Sequence, residues 1–229
     1  MKLSDRLQMI ADMVLPNERM ADIGSDHALL PCFLVLEGRC PSAIVGELGD
    51  GPFQRARQGV ERSGLAQRID VRQGDGLAVL RPGEAASVVL AGMGGTTAVE
   101  ILERAASKAA SFRRLVVQVN NGLELVRAYA ARNGWRIADE AVAWDDDYYV
   151  CMALEPAFGL PYTLNRLESL FGPVLLKRKN EPDVRAYFQY WIGKYREIAG
   201  NIPPDAGERA QAIRSDYLGL ACDLEEVLA

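Results

Sequence analysis

Arg136 to Trp144 and Tyr148 to Glu155 are two strand-like runs joined only by Asp145-Asp146-Asp147. Three residues cannot carry a crossover helix, so these runs must pair as an antiparallel hairpin. Everything upstream reads differently. A first helix is predicted from about Ser4 to Val14, with Leu3, Leu7, Ile10 and Val14 on one face. Strand Arg19 to Ile23, helix Ala28 to Glu37, strand Ala43 to Leu48, helix Pro52 to Ser63 and strand Ile69 to Gln73 follow. Strand Ser87 to Ala91, helix Thr96 to Lys108, strand Arg114 to Val119 and helix Gly122 to Asn133 continue the alternation. Pro52 near a helix start and Gly38, Gly64 and Gly134 just past helix ends punctuate it. Such βα units build a mostly parallel sheet covered on both faces.

A parallel βα series closed by a β-hairpin has the chain order of a class I, Rossmann-like methyltransferase sheet. A dinucleotide-binding domain would add a further parallel strand instead. After Pro156 strands disappear. Val184, Phe188, Trp191, Tyr195 and Ile198 recur at helical spacing, as do Ala210, Ile213, Tyr217, Leu220, Leu224 and Val227. The reading is therefore an α/β domain over residues 1–158 and a C-terminal α-helical coiled-coil domain over residues 159–229, with the aromatic residues of the latter packing between two antiparallel helices.

With 229 residues, 49% of them hydrophobic and 25% charged, the chain can fill one medium domain plus an appendage. No apolar run approaches the ~20 residues that span a bilayer, and Lys2 to Val14 is amphipathic rather than signal-like. The expectation is a cytoplasmic protein without membrane partners; the oligomeric state stays open, with a monomer favoured. Cys32, Cys40, Cys151 and Cys222 form no C-x-x-C pair and there is a single histidine, so no metal is expected and the cysteines read as reduced core residues. A net charge of −5 means that any nucleic-acid site must be a local patch.

Ala21-Asp22-Ile23-Gly24-Ser25-Asp26-His27 puts two acids around a glycine at the end of a buried strand. Such a turn aims backbone N–H groups at a ligand, while Asp22 and Asp26 would repel a phosphate. Only the first glycine of G-x-G-x-x-G is present, which argues against a dinucleotide. S-adenosylmethionine, with an ammonium, a sulfonium and a ribose, suits the acidic turn. Glu47, ending the second strand roughly 20 residues later, sits where a carboxylate commonly holds ribose hydroxyls. Asp75 and Gly76 follow the third strand, and Asp75 is placed to accept from an adenine amino group. The cofactor set is Asp22, Gly24, Ser25, Asp26, His27, Glu47, Asp75, Gly76, Gly92 and Met93. Gly92-Met93-Gly94-Gly95 leaves backbone uncovered at the fourth strand end, and Gln118-Val119-Asn120-Asn121 offers adjacent amides at the next. Asn120 and Asn121 could meet a base edge, with Asp26 a counter-charge to a methylated base or to the cofactor's ammonium.

Asp22-Ile23-Gly24-Ser25-Asp26-His27-Ala28, Gly51-Pro52-Phe53-Gln54, Gly74-Asp75-Gly76-Leu77, Ala91-Gly92-Met93-Gly94-Gly95 and Gln118-Val119-Asn120-Asn121 resemble, in order and spacing, the motifs of the bacterial TrmK family. Its members are tRNA (adenine-N1)-methyltransferases acting at tRNA position 22. The resemblance runs from Leu3 to about Pro156, and Leu175 to Asn180 resembles the start of the family's C-terminal helical domain. It implies S-adenosylmethionine as methyl donor and tRNA as partner; because the chain is acidic overall, Lys177, Arg178, Lys179 and Arg185 on the helical appendage are expected to supply much of the phosphate contact. The chain departs from the pattern at Leu29, often Tyr in the family, and at Val119, often Pro. A small-molecule N-methyltransferase would share the cofactor residues without needing the helical appendage. A non-catalytic RNA-binding protein could retain the same fold.

Overall fold

The computed structural model describes residues 2–156 and 159–229. Its elements follow the predicted alternation: α1 (Asp5–Met13), β1 (Met20–Ile23), α2 (Leu29–Leu36), β2 (Ala43–Glu47), α3 (Asp50–Arg62) and β3 (Ile69–Gln73). A single 3-10 turn at Gly76–Val79 leads to β4 (Ser87–Met93), α4 (Gly95–Arg104), α5 (Ala106–Ala109), β5 (Arg114–Val119) and α6 (Leu123–Arg132). β6 (Arg136–Trp144) and β7 (Tyr148–Glu155) complete the sheet; α7 (Arg166–Phe171), α8 (Pro173–Lys177), α9 (Pro182–Gly200) and α10 (Glu208–Leu228) follow.

The seven strands lie in the order β3-β2-β1-β4-β5-β7-β6. β1 to β5 are parallel, and β7 runs antiparallel to both β5 and β6. Every residue of β1 and β2 is buried, as strands covered on both faces must be. The chain moves outward from β1 through β2 to β3, then returns to lay β4 on the other side of β1. That reversal opens a crevice beyond the carboxyl ends of β1 and β4, the standard ligand position of an open α/β sheet.

Two local departures have clear causes. The helix expected over Thr96 to Lys108 breaks at Ala105, which leaves helical geometry (φ −128°, ψ 35°). The short α5 that follows buries Ala109 and brings Lys108 Nζ to the Leu77 carbonyl at 2.9 Å. Cys222 is exposed, so only Cys32, Cys40 and Cys151 are core thiols.

The chain divides into compact units Met1–Leu170 and Phe171–Ala229. The boundary expected after residue 158 falls at residues outside the described set, and the first unit extends beyond it for a physical reason. Tyr162 donates its hydroxyl to the Trp135 carbonyl (2.8 Å) and its N–H to the Ala131 carbonyl (3.1 Å). Arg127, fully buried on α6, donates to Glu140 (2.8 Å) and to the carbonyls of Ser169 (2.9 Å) and Leu170 (2.8 Å). A buried charge is tolerated only with such partners, and here they tie residues up to Leu170 to the sheet domain. In the second unit α9 and α10 pack on each other along their length, and Tyr195 stacks on Tyr217 at 5.6 Å between ring centroids. Phe171 sets its edge against Tyr187, Phe188 and Tyr195, so these aromatic residues form a helix interface.

Candidate active site

At the carboxyl end of β1 the backbone turns sharply. Gly24 (φ 79°) is followed by Asp26 (φ 53°) and Ala28 (φ 55°), two non-glycine residues in the left-handed region. Such conformations cost free energy and cluster at ligand sites. The turn brings acids together. Asp22, buried at the end of β1, accepts a hydrogen bond from Ser25 Oγ. Glu47, buried at the end of β2, accepts from the Asp26 N–H. Burial pushes the Asp22 carboxyl up to about 7, with the Glu47 charge adding to the rise and the Ser25 hydroxyl opposing it. Burial likewise raises Glu47, against the Asp26 N–H bond. Among the described residues neither carboxylate has a basic side chain bonded to it. Arg55 instead takes Asp26, Nε to Oδ1 at 2.6 Å, and His27 Nε2 lies 3.6 Å from the other Asp26 oxygen.

Across the crevice, β4 carries an irregularity between Ala91 and Met93, with Gly92 at φ 77°. The bulge turns Gly92 out of the ladder and exposes its amide and carbonyl to side chains. Gln118, fully buried on β5, accepts the Gly92 N–H at 3.1 Å through Oε1 and donates Nε2 to Asn120 Oδ1 at 3.3 Å. Asn120 closes the ring by donating Nδ2 to the Gly92 carbonyl at 3.0 Å, while its N–H reaches the Met93 carbonyl at 2.9 Å. Asn121 holds the next turn, accepting the Gly95 N–H at 2.9 Å. The Met93 side chain leans back toward the first turn: its methyl carbon is 3.7 Å from the point where a Gly24 side chain would begin.

A methyltransferase-domain family model matches residues 3–152. The tRNA (adenine(22)-N(1))-methyltransferase of Bacillus subtilis (strain 168) is 40% identical over 193 residues, covering 82% of this chain and 81% of that protein. The crystal structure of the Bacillus subtilis tRNA methyltransferase TrmK superposes with a TM-score of 0.82 at 34% identity, covering 100% of this chain and 99% of that one. A Streptococcus pneumoniae protein solved in complex with S-adenosyl-L-methionine gives a TM-score of 0.85 at 31% identity over 100% of both chains. The chain belongs to the tRNA (adenine(22)-N(1))-methyltransferase family.

Within this tRNA (adenine(22)-N(1))-methyltransferase fold most of the predicted residues fall into two sets, which meet where the Met93 side chain approaches Gly24. Asp22, Ser25, Asp26, His27 and Glu47 share contacts at β1 and β2. Gly92, Met93, Asn120 and Asn121 share contacts at β4 and β5. Asp26 touches the first set only, beside Arg55. Asp75 stands apart from both: Gly76 starts the 3-10 turn, and the half-exposed Asp75 carboxylate pairs with Arg104 Nη1 at 2.8 Å. In the helical unit, Lys179 Nζ donates to the Val227 carbonyl at 2.5 Å and Arg185 Nη1 to the Leu228 carbonyl at 3.3 Å. These two cations meet the carboxyl end of α10, where a helix dipole favours positive charge. Arg178 pairs with Glu181 at 2.8 Å, and Lys177 is exposed.

Sequence reasoning missed Arg6. It projects from the first turn of α1 to donate Nη1 to Gln118 Oε1 at 3.1 Å, and its guanidinium lies 5.2 Å from the Tyr149 ring centroid. Nothing local marks it: in sequence it is one polar residue of an amphipathic helix. Only the packing of α1 beside β5 and β7 brings it to the glycine loop.

Proposed function

We infer that this protein transfers a methyl group from S-adenosylmethionine to N1 of the adenine at position 22 of tRNA. The observation that carries this reading is the 40% identity, over 82% of the chain, to a curated enzyme of that activity. The donor set supports the cofactor independently. Two buried carboxylates at adjacent strand ends suit hydroxyls and an ammonium, and they would repel a pyrophosphate. Gly24, whose left-handed backbone leaves open space up to Met93, gives the backbone room to approach a ligand.

S-adenosylmethionine supplies a methyl on a sulfonium, so the acceptor's lone pair needs alignment more than activation. Glu47 holds ribose hydroxyls, Asp22 and the turn after β1 hold the polar tail, and Asp75 takes the adenine amino group. N1 of adenine is unprotonated at neutral pH: the N–C bond forms as the C–S bond breaks, and the ring keeps the positive charge. The protein therefore contributes mainly position and electrostatics. The target base must leave its stack, at a cost of a few kcal/mol recovered in the pocket. The ring of Gln118, Asn120 and Gly92 fixes the wall against which it aligns, with Asn120 and Asn121 next to the transferable methyl. Asp26, engaged by Arg55, serves the cofactor side of the site rather than the base.

The helical unit reads as a coiled-coil appendage for tRNA, in a protein of the cytoplasm. Lys177 and Arg178 are its phosphate contacts, with Lys179 and Arg185 joining them from beside the carboxyl end of α10. The deciding experiment is an assay with labelled S-adenosylmethionine, unmodified tRNA, a tRNA with adenosine-22 replaced, and small amines. Label in the unmodified tRNA alone is expected. Equal labelling of the replaced tRNA would move the target site, and labelling of amines alone would make the protein a small-molecule enzyme.

A further inference from the structure

The chain holds 31 acidic residues against 26 lysines and arginines, and near the crevice its arginines are spent on the acids. Arg55 takes Asp26 and Arg104 takes Asp75. Arg6 is different. Among the described residues no carboxylate lies within ion-pair distance of it, and its one hydrogen bond is the Nη1 contact to Gln118. It is partly buried, so its charge is incompletely hydrated, yet Nε and Nη2 have no partner among the described residues. Two contacts fix the plane of the group: the bond to a fully buried amide and the face of Tyr149, itself held by a hydrogen bond from its hydroxyl to Asp146 at 3.1 Å. The guanidinium therefore lies at a set place beside Gly92, whose side-chain position would be 3.7 Å from Arg6 Nη1. A guanidinium edge of this kind presents parallel N–H groups that match a phosphate or carboxylate.

We propose that Arg6 is a phosphate anchor for the RNA acceptor, binding the backbone of the nucleotide whose base enters at the β4 and β5 ends. The inference rests on the function proposed above and deepens it. Methylation at N1 leaves the adenine ring positively charged, so a guanidinium against the base edge would oppose the reaction. The anionic partner within reach is the phosphate. An anchor fixed by α1 and β7 holds the nucleotide from outside the crevice while the Gln118 and Asn120 ring borders the base. Arg6 thereby couples substrate binding to the geometry of the glycine loop through a single shared atom, Gln118 Oε1, which also accepts from Gly92.

The test measures tRNA affinity across a salt series for the wild type, Arg6→Gln and Arg6→Lys, with cofactor affinity and melting temperature alongside. Arg6→Gln removes the charge while keeping a polar side chain. It should bind tRNA about tenfold more weakly and flatten the slope of log K against log salt by about one, with cofactor affinity and melting temperature unmoved. Arg6→Lys should restore the salt slope but not the full affinity, because an ammonium cannot make the forked contact. A wild-type slope in Arg6→Gln, or losses confined to melting temperature and cofactor affinity, would overturn the proposal and leave Arg6 a packing residue. Methylation of the wild type is followed in parallel. If it binds tRNA but leaves position 22 unmodified, the proposed reaction falls while the salt slope still reads the anchor; if it binds no tRNA, both fall.

Discussion

The two sides of the crevice solve opposite problems. At the ends of β1 and β2, Asp22 and Glu47 are buried, Asp22 accepting from the Ser25 hydroxyl and Glu47 from backbone N–H groups of the turn, and burial raises both above the usual carboxylate range. At the ends of β4 and β5, the amides of Gln118 and Asn120 and both backbone groups of Gly92 are satisfied by one another. An unsatisfied buried acid is a standing cost that a ligand can relieve, whereas a closed ring of amides is already rigid and gains little from a ligand. The first side is built to be completed by what binds. The second is built to hold still while something is aligned against it.

Mutations on the two sides should therefore separate in kinetics. Asn120→Ala removes the donor to the Gly92 carbonyl and the acceptor for Gln118, loosening the wall without touching an acid. Single-turnover methylation should slow by one to three orders of magnitude, the equivalent of about 1.4 to 4 kcal/mol, with cofactor affinity nearly unchanged. A wild-type rate at an unchanged melting temperature would leave Asn120 a turn residue. Glu47→Ala should do the reverse. Losing charge-assisted bonds should weaken S-adenosylmethionine and its demethylated product alike, by roughly 1 to 3 kcal/mol in calorimetry. Loss of rate without loss of affinity would erase the distinction between the sides.

The same division explains what could be read before the structure. Strand positions and the closing hairpin were legible, since Ile69–Gln73, Arg114–Val119, Arg136–Trp144 and Tyr148–Glu155 have the predicted bounds. Local patterning sets strands, so local sequence reveals them. The acidic turn was legible too, because Asp22, Gly24, Asp26 and Glu47 are close in sequence to the strand ends that place them. The ring at Gly92 was half legible: the glycines and amides show, but the bulge that makes Gly92 a partner of Gln118 depends on the β4 and β5 register. Arg6, Tyr149 and the buried Arg127 with Glu140 were not legible. Their partners are distant in sequence or masked by ordinary amphipathic patterning, and an arginine on a helix usually means solvent.

The carboxyl of Asp22, pushed up to about 7, makes the comparison testable without mutation. A raised acid stabilises the free protein at pH values below its unfolded pKa of 3.8, and that contribution is lost as pH rises through about 7. A cationic or hydroxyl-rich ligand prefers the ionised form, so its affinity should climb over the same window, by up to about tenfold between pH 6 and 8. The rise in melting temperature on adding cofactor should grow with pH, and binding heats near pH 7 should depend on the buffer because a proton is released. Heats independent of the buffer would mean that Asp22 is already ionised before binding.

The smallest expected effect concerns Asp75, the predicted cofactor residue that stands with neither side. Its carboxylate is more than half exposed and paired with Arg104, which is 58% exposed. An exposed pair of this kind contributes at most about 1 kcal/mol, so Arg104→Ala should shift the melting temperature little. Removing Arg104 also frees Asp75 to accept from an adenine amino group. Cofactor affinity should therefore hold or improve slightly in Arg104→Ala, whereas Asp75→Asn should lose several-fold because the charged acceptor is gone. Calorimetry on the two variants separates the roles. If Asp75→Asn binds as tightly as the wild type, the acid belongs to a surface ion pair, and the ligand-seeking side of the crevice consists of Asp22 and Glu47 with the turn that joins them.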